Sequence, residues 1–161
     1  MRSTAPELLR PDRALAVPAI PAPDRPGLSV AHHDWIVWHA DRIGVGETVF
    51  LDGSDGALAL AKALAGAPSR GLTIVTNSLR ITAEDLRLPA TVLVCPGRLN
   101  QRTRTTEGSL TLAFLKRQRL DTAFVAGSGS IADAARAIAE RTVNLDVHLD
   151  RLDPGHQAVS W

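Results

Sequence analysis

The chain has 161 residues, 45% of them hydrophobic, and its 18 basic and 17 acidic side chains leave a formal net charge of +1. This size and composition suit one folded domain, and the balanced charge excludes the broad basic surface of proteins that bind nucleic acid without sequence preference. The single cysteine, Cys95, excludes an internal disulfide and a multi-cysteine zinc site. No run approaches 18 apolar residues, so we predict no membrane span. A single cysteine suits a reducing compartment, so we predict a cytoplasmic location.

The first 28 residues differ in composition from the rest of the chain. Six of the ten prolines lie within residues 1–26. Proline fixes φ, lacks an N–H donor and pushes the preceding residue into extended conformations. We therefore predict an extended arm or linker over residues 1–28, a domain over residues 29–150 and a tail over residues 151–161.

From Ser29 onward, short apolar runs alternate with stretches of helix-forming residues. Ser29 suits the N-cap of a first helix over residues 29–43. Further helices are predicted over residues 57–65, 82–86, 108–119 and 131–141. Strands are predicted at Thr48–Leu51, Leu72–Thr76, Thr91–Cys95, Thr122–Ala126 and Asn144–Leu149.

This alternation predicts an α/β fold, a mostly parallel sheet flanked by helices on both faces, of the Rossmann-like kind. In such sheets, ligands bind at the carboxyl ends of the strands. Four polar segments follow predicted strands and mark this edge: Asp52–Gly56, Thr76–Ser78, Pro96–Arg98 and Gly127–Ser130.

Three of these segments suit a small anionic ligand. In Asp52–Gly56, backbone N–H groups and the start of the next helix favour an anion, although any strand-to-helix turn also needs glycine and a cap. Asn77 in the second segment is a polar ligand group or simply a turn residue. Arg98, followed by Arg102 and Arg104, suits a bidentate contact to phosphate or carboxylate, or forms a solvated loop of arginines.

Metal and thiol chemistry are poorly supported. The stretch around residues 32–34 is rich in histidine and acid, but His32 and His39 are seven residues apart on one predicted helix. Their Cβ atoms would be about 10 Å apart, too far to share a metal. We therefore predict no metal site and no cofactor, and we expect Cys95 to pack as a small hydrophobic side chain.

The first predicted helix also carries two large aromatic residues. Trp35 and Trp38 lie three residues apart, so they share a helix face, and tryptophan is a common interface anchor. We predict that this face contributes to a homo-oligomer; packing of both side chains on the chain's own core is the alternative.

Taken in order, the strand-edge segments resemble the C-terminal effector-sensing domain of DeoR-family bacterial transcriptional regulators. Residues 46–57 (GETVFLDGSDGA) are similar to a family sequence like GDTVFLDSGTTT, and residues 72–78 (LTIVTNS) to LTVVTNS. Residues 94–99 (VCPGRL) resemble LLGGRL, and residues 121–126 (DTAFVA) resemble DKAFLG. The resemblance implies a ribose-phosphate-isomerase-like α/β fold that binds a phosphorylated sugar at Asp52, Gly53, Ser54, Asp55, Gly56, Thr76, Asn77, Ser78, Gly97 and Arg98.

The sequence departs from the family pattern in several places. Only about 30 residues precede the resemblance, so we expect no helix-turn-helix and no sequence-specific DNA binding. The acidic loop after the fourth motif is missing, and Ala134 or a neighbour stands where the family has lysine. Because the related isomerases need both groups, we expect no catalytic residue here.

The resemblance also places Asp55 where the family has a threonine that faces the ligand phosphate. Asp55 either caps the following helix or repels a phosphate directly. We therefore expect that the ligand is not a phosphate, or that its phosphate is held mainly by Arg98 and the Asn77 loop.

These observations favour a stand-alone, homo-oligomeric domain that binds a small polar or anionic metabolite such as a sugar phosphate. The first alternative is an enzyme on the same fold, with Asp52 or Asp55 as its base. The second is an interaction protein whose binding site has decayed.

Overall fold

The computed structural model of the chain describes residues 30–83 and 85–145. The predicted arm 1–28, the Ser29 cap and the tail 151–161 lie outside these residues. The helices are α1 (Val30–Arg42), α2 (Asp55–Ala65), α3 (Ser109–Leu115) and α4 (Ser130–Ile138). The strands are β1 (Thr48–Leu51), β2 (Leu72–Thr76), β3 (Ala90–Val94), β4 (Arg98–Asn100), β5 (Thr105–Glu107), β6 (Leu120–Val125) and β7 (Ala139–Asn144).

Five strands form one parallel sheet in the order β3-β2-β1-β6-β7. Phe50 in the central strand β1 lies opposite Val75 of β2 on one side and Ala123 of β6 on the other. The predicted α/β fold with a mostly parallel sheet is therefore confirmed. No helix among residues 30–83 and 85–145 is long and apolar enough to cross a membrane.

Helices cover both faces of the sheet. Alternate residues of each central strand point to opposite faces, so each strand packs against helices on both sides. Val49 and Leu51 pack in one core cluster with buried residues of α1 and α2. Phe50, between them, packs in a second cluster with buried residues of α3 and α4. Burial on both faces explains why these strands read as continuous apolar runs.

The last predicted helix and strand have different boundaries in the structure. The helix over residues 131–141 ends at Ile138, and residues 139–144 form β7 instead. Of the predicted strand Asn144–Leu149, residues 146–149 lie outside the described residues. Ala139 already has extended backbone, and β7 pairs in parallel with β6 from Ala139 onward. Pairing with β6 thus overrides the helix-forming composition of residues 139–141.

The predicted short helix over residues 82–86 does not form among the residues described there. Thr82, Ala83 and Leu86 each donate a backbone N–H to the carbonyl three residues earlier, which is the pattern of successive turns. The Thr82 hydroxyl donates to the Leu79 carbonyl as well. The segment between β2 and β3 therefore runs as a chain of turns beside α2.

Strands β4 and β5 form an antiparallel hairpin that the sequence reading missed. Arg98 lies opposite Glu107, and Asn100 lies opposite Thr105. The helix predicted over residues 108–119 is shorter in the structure, where α3 spans Ser109–Leu115.

The two tryptophans of α1 have different environments. Trp35 packs against the core cluster on the α1 and α2 face. Trp38 is 48% exposed, and the Arg42 guanidinium stacks 3.4 Å from its ring centroid. The two side chains therefore do not form one exposed surface. Self-association stays a prediction, and Trp38 is the exposed aromatic residue of α1 that could anchor it.

Candidate functional site

The strand order reverses between β1 and β6, and this is where parallel α/β sheets open a crevice for ligands. Asp52 directly follows β1 at this point and is buried. Its backbone N–H donates to the Phe124 carbonyl, and its Oδ2 accepts from the Ala126 N–H at 2.6 Å. The carboxylate of Asp52 thus ties the ends of the two central strands together.

The same carboxylate shapes the loop that leads into α2. Asp52 Oδ1 accepts from the Ser54 N–H at 2.9 Å and from the Ser54 hydroxyl. Ser54 in turn is the N-cap of α2, and its Oγ accepts from the Ala57 N–H at 3.2 Å. The capping role considered for Asp55 was wrong, because Ser54 performs it.

Asp55 is the first residue of α2, and its side chain is 81% exposed. Its Oδ1 accepts from Arg80 Nη2 at 2.7 Å. Arg80 belongs to none of the four polar segments predicted from the sequence. The amino end of α2 therefore carries a carboxylate paired with a guanidinium. The helix dipole by itself would favour an anion at this end.

The loop after β2 is joined to the end of β1 by a buried hydroxyl. Thr76 Oγ1 donates to the Leu51 carbonyl at 2.7 Å and accepts from the Ser78 N–H at 3.0 Å. Both Thr76 and Ser78 are buried. The predicted site residues after β1 and β2 are thus brought together at one edge of the sheet.

The hairpin β4–β5 lies on this same loop and is fixed there by backbone hydrogen bonds. The Thr106 N–H donates to the Asn77 carbonyl at 2.7 Å, and Leu79 N–H donates to the Arg104 carbonyl at 2.8 Å. Ser78 and Thr105 form an antiparallel bridge. The hairpin therefore adjoins the candidate site. Its Thr105 and Thr106 were not predicted, because three-residue strands carry too little periodicity to be recognised in a sequence.

The hairpin also reaches the loop after β1. The Thr105 methyl group occupies the space that a Cβ would need at Gly53. Glycine at this position therefore permits the close approach of the two segments. Three chain segments, 52–56, 76–78 and 104–106, meet here.

We expect Gly53→Ala to lower the free energy of unfolding by about 2 kcal/mol, because the new Cβ overlaps the Thr105 methyl. Thr105→Ser removes this methyl and keeps the hydroxyl, which shares a 2.7 Å hydrogen bond with Thr103. The double variant should regain most of the lost stability in urea unfolding. A double variant no more stable than Gly53→Ala would show that this methyl does not join the two segments.

The side-chain oxygen of Asn77, in the loop after β2, is a buried acceptor without a donor in the described part of the chain. The Asn77 side chain is buried, with a relative exposure of 8%, and its Nδ2 donates to the Thr106 carbonyl at 3.1 Å. Asn77 Oδ1 is closed to solvent and has no hydrogen-bond partner among the described residues. A buried acceptor without a donor costs about 1–3 kcal/mol, so such atoms are rare and often mark a functional site.

Gly97 and Arg98 lie at the start of the hairpin, away from the loop after β1. Gly97 has φ of +150°, and a Cβ there would meet the Thr111 hydroxyl and the Glu107 carbonyl. The Arg98 side chain is 80% exposed, and its Nη2 bonds to Glu107 Oε1 at 2.8 Å. The predicted role of Arg98 as an anion clamp therefore stays a prediction.

Other cations lie on the hairpin turn and beside α2. Arg102 and Arg104 are exposed at the hairpin turn, and neither forms an ion pair with a described residue. A groove of about 720 Å³ runs between α2 and the turns before β3, and Lys62, Arg80 and Arg87 are among its lining residues. Arg80 joins this groove to Asp55, at the amino end of α2.

The fourth predicted segment, Gly127–Ser130, forms the entry to α4 at the same edge. Its Gly127 carbonyl accepts from the Arg136 guanidinium, which also pairs with Asp133. Ala134, at or near the position of the family lysine, is buried in the core. The segment is linked to the rest of the site through Ala126 and Asp52.

Cys95 and His39 take structural positions. Burial raises the pKa of the Cys95 thiol to about 11, so the thiol is neutral at physiological pH, as expected of a packed side chain. His39 packs its ring against Trp35, Trp38 and Phe124. Among the side chains of residues 33–83 and 85–145, no three metal-binding groups lie closely enough together to hold an ion. The side chain of His32 lies outside these residues.

Residues 39–145 match a family model described as the DeoR C terminal sensor domain. The match spans more than half of the chain and contains all the loops of the site described above. No curated protein matches the chain.

Proposed function

Because the chain belongs to the family of DeoR C-terminal sensor domains, we propose that it binds a small phosphorylated, sugar-like metabolite at the carboxyl edge of its parallel sheet. In this proposal the domain is the ligand-sensing part of a transcriptional regulatory system. One observation carries the location, which is that segments 52–56, 76–78 and 104–106 meet at this edge.

The chemistry of the assembled loops supports an anionic ligand with polar substituents. The amino end of α2 offers backbone N–H groups, and Arg80 lies beside it. Arg102 and Arg104 on the hairpin turn add positive charge without ion-pair partners among the described residues. We assign the phosphate to this cationic side and the polar substituents to the Asn77 loop.

The enzyme alternative finds no comparable support at Asp52, the first of its two predicted bases. A general base must be able to take up a proton from its substrate. Both oxygens of Asp52 already accept hydrogen bonds from Ser54 and Ala126, which gives this carboxylate a structural role.

A thermal-shift panel tests the proposal directly. Glycerol 3-phosphate, ribose 5-phosphate and glucose 6-phosphate are compared with glycerol, ribose, glucose and inorganic phosphate. A ligand well above its Kd should raise the melting temperature by about 5 °C or more, because only the folded state binds it. If no phosphorylated probe shifts the melting temperature more than its neutral partner and inorganic phosphate do, the proposal is wrong.

The proposal also holds that this chain does not read DNA by itself, because its net charge of +1 leaves no strong excess of cations for phosphate contacts. A fluorescence anisotropy titration with duplex DNA at physiological salt should therefore show no specific complex. A sub-micromolar, sequence-dependent complex would contradict this part of the proposal.

A further inference from the structure

The groove between α2 and the turns before β3 carries an excess of positive charge. Its lining on α2 extends over residues 58–66, which is about 12 Å along the helix axis. Lys62, Arg80 and Arg87 line it, against Asp85 as the one carboxylate among its described lining residues. Arg80 is paired with Asp55, but neither Lys62 nor Arg87 forms an ion pair with a described residue. We call this feature the cationic groove.

The cationic groove also has an apolar lining. Leu58 and Ala65 on α2 and Leu86 on the facing turns are only partly buried. Leu58 and Leu86 pack against the core cluster of this face. A small inorganic anion would leave these side chains uncovered, whereas a peptide in which acidic and apolar residues alternate matches both parts of the lining.

We propose that residues 146–161 of this chain bind in the cationic groove, so that Asp150 and Asp153 pair with Lys62 and Arg87. The segment follows the last described residue, and it lies outside the family match over residues 39–145. The contact is therefore a feature of this chain and not of the matched sensor domain. The inference does not depend on the proposed function.

The composition of this segment complements the groove. Its three aspartates and one arginine give residues 146–161 a net charge of −2 when both histidines are neutral. Apolar residues alternate with the aspartates, in the sequence LDVHLDRLD of residues 145–153. Because the segment is tethered to the domain, ion pairs too weak to hold a separate peptide are sufficient to keep it in the groove.

The described chain ends beside the helix that carries the groove. Leu145 is buried, and its Cδ1 lies 3.2 Å from the position that a Cβ would take at Gly56, in the first turn of α2. Gly56 is roughly half a turn around the helix from the residues that line the groove, so the segment must cross the amino end of α2. A path around half of a helix about 10 Å wide takes roughly five extended residues. Residues 146–161 are thus long enough to cross α2 and enter the groove.

Carbodiimide cross-linking of the full chain, followed by peptide mass spectrometry, tests the inference, because this reagent joins a lysine amine to a neighbouring carboxylate. The chain has two lysines, Lys62 in the groove and Lys116 at the end of α3, on the other face of the sheet. Cross-links from Lys62 to Asp150 or Asp153 should be at least about fivefold more abundant than those from Lys116. A mixture of ¹⁵N-labelled and unlabelled chains should give these cross-links within one chain.

Three variants test whether charge and apolar contacts hold the segment. Arg87→Gln should lower the Lys62 yield at least about twofold, as expected for the loss of one exposed ion pair. Leu152→Ser keeps every carboxylate and should also lower the yield. Arg117→Gln neutralises an exposed arginine beside Lys116 and should leave the Lys62 yield unchanged. Circular dichroism establishes that each variant is folded before the yields are compared.

Three outcomes would overturn the inference. Equal yields from Lys62 and Lys116 would show that the segment does not prefer the groove. A Lys62 yield that Arg87→Gln and Leu152→Ser leave unchanged would show that collisions of a tethered segment account for the cross-link. Cross-links between labelled and unlabelled chains would assign the groove to the segment of a second copy. None of these outcomes bears on phosphate binding, so the proposed function is tested separately.

Discussion

Replacing Asp52 by alanine is expected to lower the free energy of unfolding by about 3 kcal/mol, because it leaves three hydrogen-bond donors without their acceptor. The donors that lose their acceptor are the Ser54 N–H, the Ser54 hydroxyl and the Ala126 N–H. The substitution also removes the side-chain hydrogen bond that joins the ends of β1 and β6. Urea unfolding followed by tryptophan fluorescence measures the loss, since Trp35 packs against the core.

Two matched variants test the cause of this loss. Asp52→Asn keeps one acceptor oxygen and should have a stability between those of wild type and Asp52→Ala. Asp41→Ala removes a half-exposed carboxylate whose nearest contact with Arg70 is 3.8 Å, and it should change stability by no more than about 0.5 kcal/mol. Equal losses in Asp52→Ala and Asp41→Ala would show that the Asp52 hydrogen bonds do not support the fold.

Replacing Asp55 by threonine is expected to strengthen phosphate binding by at least about tenfold, because it removes a negative charge from the amino end of α2. Unit like charges about 4 Å apart repel by roughly 1 kcal/mol in water and about 4 kcal/mol at an effective dielectric near 20. The substitution also releases the Arg80 guanidinium, which now bonds to Asp55 at 2.7 Å. Both changes favour an anion.

Calorimetry of wild type and Asp55→Thr against glycerol 3-phosphate and ribose 5-phosphate measures this gain. Asp55→Asn separates the lost charge from the new hydroxyl and should recover most of the gain. Arg80→Gln should weaken phosphate binding in the Asp55→Thr background. Tight binding by wild type that Asp55→Thr leaves unchanged would show that Asp55 lies away from the ligand and that the family alignment of this loop is wrong.

The central strands could be predicted closely from the sequence. Strands β1 and β2 have the predicted bounds, Thr48–Leu51 and Leu72–Thr76. Their apolar runs are flanked by polar turns and packed by helices on both faces, so the local pattern already carries the signal. The polar loops that follow them were predicted for the same reason, because they sit where these runs end.

The hairpin and the last strand could not be predicted in this way. Residues 139–141 (AER) have good helix-forming composition, yet they lie in β7 because its ladder with β6 satisfies their backbone groups. The hairpin has only three residues in each strand, and its position depends on Thr106 and Ser78, which pair with partners far away in sequence.

The sequence by itself determined the α/β class, the bounds of β1 and β2 and the polar loops that follow them, because all three follow from local hydrophobic patterning. Only the tertiary structure decided how those residues are used. Asp52 is bound by Ser54 and Ala126, Asp55 is paired with Arg80, and Arg98 is paired with Glu107. The Asn77 amide nitrogen likewise donates to the Thr106 carbonyl, which leaves the amide oxygen without a partner among the described residues. Partners of this kind are set by packing between distant segments, and no local pattern in the sequence specifies them.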